Sequence, residues 1–254
     1  MRNILAIADK ELRSYFASPI AYIVIGMFAL LFGWFFYVYL TLFVQQSTQM
    51  MMQGGGAANI NQNMIRGVLA NSAVIILFVM PMITMRTYSE EKRSGTIELL
   101  LTSPVTDLEI IVGKFLGALG LYAAMLGVTL LYMAILFIFG NPEWRPIVAG
   151  YLGLLLMGSC FISVGLLISS LTKNQIVAGF MTFAVFLMLW VINWIGASSG
   201  PTTQAVVSYL SIIEHFDDFA RGIIDTKHVI YYLTFITFGL FLTAKSVDSE
   251  RWRG

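Results

Sequence analysis

Six nearly unbroken apolar blocks, each bounded by polar, glycine or proline positions, set the pattern of this chain: residues 20–44, 68–85, 115–139, 147–171, 176–195 and 229–244. A helix rising about 1.5 Å per residue needs roughly 20 apolar residues to cross the hydrocarbon of a bilayer. The pattern therefore predicts an all-α polytopic membrane protein, one transmembrane domain over residues 1–254 with six transmembrane helices. The last block is the shortest and follows Lys227 and His228 directly.

The segments between the blocks carry patterns of their own. In residues 1–18, Leu5, Ala8, Leu12 and Tyr15 recur at helical steps with Lys10, Arg13 and Ser14 mostly opposite, which predicts an amphipathic interfacial helix ended by Ser18 and Pro19. A frayed cationic tail is the alternative. Gln45 to Gln53, followed by Gly54, Gly55 and Gly56, predicts a flexible outer connection. Its Met50, Met51 and Met52 are soft ligands, but three consecutive residues of a helix or strand cannot all face one ion.

The longest inner loop, 86–109, turns at Ser94 and Gly95, forms a short helix over Thr96 to Leu101, and stops at Pro104. Thr106 with Glu109 is a capping box that starts the next helix. Lys114 is expected to snorkel to the inner headgroups. Gly113 with Gly117, and Ser159 with Ser163, have a spacing that permits close helix approach. Over 201–224, Val206, Tyr209, Ile213, Phe216, Ala220 and Ile223 predict one outer helix, amphipathic on the surface or re-entrant, ahead of the sixth span.

Composition narrows the classes. With 58% hydrophobic and 11% charged residues, the chain cannot clothe a water-soluble globule, and its net charge of +1 creates no field for nucleic acid. The first apolar block is too long for a signal peptide and is expected to stay as a span. Of the 15 Lys and Arg residues, eleven fall on one side and four on the other if all six blocks cross, which predicts both termini in the cytoplasm. Cys160 lies in an apolar run as an inert thiol.

No acidic residue lies well inside a span, so a carboxylate relay for proton-coupled transport has no obvious candidate. No phosphate-cradling G-x-x-x-x-G-K-[ST] motif occurs, and no catalytic Ser/His/Asp or Cys/His set stands out. His215 beside Asp217 and Asp218 lacks a second close His or Cys for a metal. The chain is thus read as neither an enzyme nor a cofactor protein.

The loop residues Glu90, Glu91, Gly95, Thr96, Glu98, Leu100, Pro104, Val105, Gly113 and Lys114 closely resemble the cytoplasmic signature of ABC-2 type permeases of ATP-binding-cassette transporters. Ser170 to Gln175, with Lys173, Asn174 and Gln175, resembles that family's short inner turn. His215 to Asp225, leading into Tyr231 and Tyr232, resembles the branch associated with bacterial gliding motility. The resemblance implies a homodimeric permease in a bacterial inner membrane, with ATP and Mg held by a separate ABC ATPase subunit.

It also implies that Thr96 to Leu101 is a coupling helix, with Glu90, Glu91 and Glu98 as polar contacts and Ile97 and Leu100 as apolar anchors. His215, Phe216, Asp218 and Arg221 would form an outer partner or gate helix. Three functions stay open: export of a lipid, polysaccharide or other amphiphile; a mechanotransmitter that drives a periplasmic auxiliary subunit without translocation; and an intramembrane enzyme or scaffold.

Overall fold

The computed structural model describes residues 2–54, 59–98, 104–197 and 201–251. Among these the fold is all-α, and six helices are long and apolar enough to cross a membrane. In chain order the helices are α1 (Arg2–Ala17), α2 (Pro19–Met52), α3 (Arg66–Thr84, entered through a π-helical turn, Asn61–Ile65) and α4 (Ser89–Ser94). Then come α5 (Asp107–Phe139), α6 (Trp144–Leu171), α7 (Gln175–Ala197), α8 (Pro201–Leu210), α9 (Ile212–Ala220) and α10 (Thr226–Arg251).

Local chemistry places several boundaries. Ser18 caps α2, its hydroxyl accepting from the Ile20 N–H, and Pro19 occupies the first turn, where its missing N–H leaves no bond unmade. The Thr106 hydroxyl accepts from the Glu109 N–H while the Glu109 carboxylate accepts from the Thr106 N–H, so the expected capping box starts α5.

Helix α6 is the axis of the bundle, buried along most of its length and touched by α3, α5, α7, α9 and α10. Its small residues make this possible: a Cβ on Gly153 would lie 2.5 Å from the Cβ of Phe219 in α9. The outer helices keep apolar faces turned outward, including Leu30 and Trp34 of α2, Phe180 and Met188 of α7, and Phe238 and Phe241 of α10. Such faces are unfavourable in water and natural in lipid.

Three elements differ from the sequence expectation. Gln45 to Met52 is not a flexible connection: it continues α2 without a break until Gly54 adopts a left-handed φ of 73°. Gln and Met are good helix formers and nothing stops the helix earlier. The single outer helix over 201–224 is two helices, because Ser211 breaks α8 and caps α9. Its buried face is Ile212, His215, Phe216, Phe219 and Ala220, whereas Val206, Tyr209 and Ile223 are exposed. The sixth apolar helix, α10, extends well beyond 229–244 at both ends.

Helix α1, expected as an amphipathic interfacial helix, packs along the start of α5. Asn3 donates to Glu109, a Cβ on Gly113 would meet Ile7, one on Gly117 would meet Glu11, and one on Gly120 would meet Leu12. Contacts that advance together in this way place α1 alongside the start of α5, running in the same direction. The glycines remove the side chains that would hold the helices apart. The packed face is Ile4, Ile7, Ala8, Glu11, Leu12 and Tyr15, and Leu5 is 65% exposed.

Candidate functional site

Glu11 of α1, Glu91 of α4 and Lys114 of α5 meet at one end of the bundle. The Lys114 Nζ lies 2.8 Å from Oε1 of Glu11 and 2.8 Å from Oε1 of Glu91, and it donates to the Thr87 carbonyl at 3.0 Å. Its side chain is 1% exposed and sits 5.0 Å from the centre of the Tyr88 ring. Lys114 therefore does not snorkel. Its ammonium is desolvated, and two carboxylates and a carbonyl replace the water it loses.

The same end is fastened at other points. Tyr15 donates to the Ile83 carbonyl at 3.0 Å and lies 3.3 Å from the Thr87 hydroxyl, and burial pushes its own hydroxyl above the usual phenol range. The Ser169 hydroxyl of α6 accepts from the Tyr88 and Ser89 N–H groups at 3.0 and 3.1 Å and donates to the Met85 carbonyl. Lys92, also buried, donates to the Ser170 carbonyl at the end of α6. Helix α4 is thus anchored to α1, α5 and α6 together.

The family-signature residues divide into two groups. Glu91 faces inward onto Lys114, and Ile97, expected as an apolar anchor, is buried against the apolar core of this chain. Glu90, held by Arg86 at 3.3 Å, is half exposed, and Thr96, Glu98 and Pro104 are exposed. Gly95 takes a φ of 74°, a left-handed turn that ends α4 and suits a residue without a side chain. Ile97 and Glu98 are helical; Leu100, with the rest of 99–103, lies outside the described residues.

At the turn between α6 and α7, the Asn174 side chain accepts from the Ile176 N–H at 2.9 Å, Gln175 opens α7, and Lys173 is exposed. Tyr15 was visible as part of the apolar face of α1, whereas sequence reasoning had no signal for the roles of Glu11, Lys92 or Ser169. It also missed Leu108, which is 67% exposed at the start of α5.

The opposite end holds a second polar cluster around α9. Arg66 of α3 and Arg221 both bind Asp217, at 2.8 and 2.5 Å, tying α9 to α3. His215 and Phe216 are buried. His228, which the sequence reading did not single out, joins His215 and Asp218 in a chain of contacts, and burial pushes His215 below the usual imidazole range. Among the described residues no group of three or more His, Cys, Asp or Glu is arranged to hold a metal ion.

This architecture is that of a helical membrane domain with a short polar helix pinned at one end. A profile of the family described as ABC-2 family transporter protein matches residues 43–213. The chain belongs to that family. It is also 26% identical over 154 residues to the "Probable multidrug ABC transporter permease YbhR" of Escherichia coli strain K12, and equally to its counterpart in strain O157:H7. Those alignments cover 59% of this chain and 41% of the relatives, so the match spans about two fifths of their length.

Proposed function

We propose that this chain is the permease subunit of a bacterial ABC exporter, working as a homodimer with a separate ABC ATPase. The observation that carries the reading is the Lys114 cluster: it holds α4, next to the family-signature loop, against α1, α5 and α6. A push on an element fixed in this way moves whole helices, because packed interfaces are not continuously deformable.

In this reading the α4 end faces the cytoplasm of an inner-membrane protein, together with both termini. Glu90, Thr96, Glu98 and Pro104 meet the ATPase, with Leu108 as an additional apolar contact. ATP and Mg belong to the ATPase. Glu91 and Ile97 then act inside the permease, passing the displacement on to α5 and the core. The cargo class that suits a lipid-embedded bundle is an amphiphile, in keeping with the multidrug permease name carried by the relatives.

Glu98→Lys tests the docking surface. With membrane insertion unchanged, recovery of the ATPase with the tagged permease should fall at least about tenfold, the equivalent of roughly 1.4 kcal/mol. Recovery and transport at the unsubstituted level would remove the docking model.

One observation favours the mechanotransmitter as a second reading. Helix α2 has 34 residues, about 51 Å of helix against a hydrocarbon core of about 30 Å, and its Met50–Met52 end is exposed. A rod that outlasts the bilayer offers a lever to a periplasmic subunit, as in a gliding-motility complex. ATPase activity in liposomes that responds to such a subunit and to no amphiphile would select it.

A further inference from the structure

The chain has two histidines, and both lie in one buried chain of contacts. Nδ1 of His215 lies 2.6 Å from Nδ1 of His228. Nε2 of His228 lies 2.7 Å from Oδ2 of Asp218, and Nε2 of His215 lies 3.0 Å from the Tyr209 carbonyl oxygen. Each of these three contacts needs a hydrogen, since two facing lone pairs repel. A carboxylate and a carbonyl contribute none, and two neutral imidazoles contribute two.

We propose that the third hydrogen is a bound proton, so that His215, His228 and Asp218 form a proton-binding site joining α8, α9 and α10. The count alone leaves either ring able to carry it, and the contact of His228 with the Asp218 carboxylate assigns it to His228. His215 is neutral, donating from Nε2 to Tyr209 and accepting at Nδ1. His228 is the imidazolium, donating from Nδ1 to His215 and from Nε2 to Asp218, whose carboxylate balances the charge.

The surroundings agree with this assignment. The His215 ring stacks on Tyr231 with centroids 3.8 Å apart, and burial disfavours a charge there. A cavity of about 560 Å³, bordered by Ser208, Glu214, Asp218 and Lys227, opens beside the pair and gives a proton a route to solvent.

The other titratable or charged groups turned toward the pair are few. From α9 there are Glu214, and Asp217 already engaged by Arg221 and by Arg66 of α3. From α10 there are Lys227, Tyr231 and Tyr232, from α8 Tyr209, and from α6 the buried Cys160. Asp225, in the turn before α10, is occupied by Lys227. Helix α7 carries no ionisable residue.

The joint is intact only over a window of pH. Loss of the bound proton sets two lone pairs face to face. A second proton, taken up by His215 as pH falls, removes the acceptor at its Nδ1. The bound proton thus makes the α8–α9–α10 joint responsive to the pH of the compartment it faces.

The test needs neither the ATPase nor a substrate, so it stands apart from the transport reading. Protein labelled with ¹⁵N-histidine gives signals from two rings only. At pH 7.4 one ring should show both nitrogens protonated and the other a single N–H at Nε2. His215→Gln and His228→Gln each delete one set and assign them. Two neutral rings at that pH in folded wild-type protein would overturn the proposal. Thermal stability should also pass through a maximum with pH, falling by about 3 °C or more on the alkaline side, and His228→Gln should abolish that alkaline fall. An alkaline fall that persists in His228→Gln would likewise overturn it.

Discussion

Lys114 shows what a single residue contributes here. A cation that is 1% exposed is tolerable because Glu11 and Glu91 meet it at 2.8 Å each, and the three charges stand or fall together. Lys114→Met leaves two partly buried carboxylates facing each other. Removing one member of a buried ion cluster costs about 3 kcal/mol, so the variant should unfold at clearly lower temperature in detergent. Replacing Glu11 and Glu91 by Gln in the same protein should recover much of that loss, because the uncompensated charges go with them. No recovery in the triple variant would mean that Lys114 matters through its packed stem and not through its charge. His215 supplies a second test at this scale. Its charged form is disfavoured in the fold, so unfolding takes up a proton, and the stability it contributes is complete above about pH 6.5 and lost as pH falls below it. Acid-side thermal scans of His215→Gln should therefore be flatter than those of the wild type.

At the scale of elements, some features were written locally and others were not. The capping box of α5 rests on residues three apart, and the sequence displayed it. The apolar blocks were equally visible, since hydropathy is summed over one segment at a time. Glu11 and Lys114 are 103 positions apart, and nothing in either neighbourhood announces the other. The face of α1 was misjudged for a related reason: Leu5 fits the periodicity, but the glycines of α5 decide which face is covered. Those glycines can be tested against one another. A Cβ at Gly117 would lie 2.6 Å from the Cβ of Glu11, whereas at Gly127 no atom lies within 4 Å. Gly117→Val should destabilise by about 1–3 kcal/mol and make the α1 segment more open to protease. Gly127→Ala should be neutral or stabilise by up to about 1 kcal/mol through helix propensity. Equal effects at both positions would contradict the packing of α1 on α5.

On the scale of the whole molecule, the two polar clusters lie at opposite ends of an apolar bundle, and α6 runs between them. Its Ser169 and Ser170 hold the α4 region, and its Gly153 receives Phe219 of α9. A displacement entering at α4 therefore has one packed helix along which to reach α9. In the proposed complex this arrangement would separate binding the ATPase from using its work, because Glu98 is exposed and Glu91 is turned onto Lys114. Glu91→Gln keeps the size of the side chain and weakens a charge-assisted contact worth about 1.5–3 kcal/mol. In the proposed complex it should leave ATPase recovery within about twofold while lowering transport about tenfold or more, with ATP hydrolysis continuing. Glu98→Lys should instead lose recovery and transport together. A Glu91→Gln protein that transports at the unsubstituted rate would mean that force enters the bundle by another route, most directly through Leu108 and the first turn of α5.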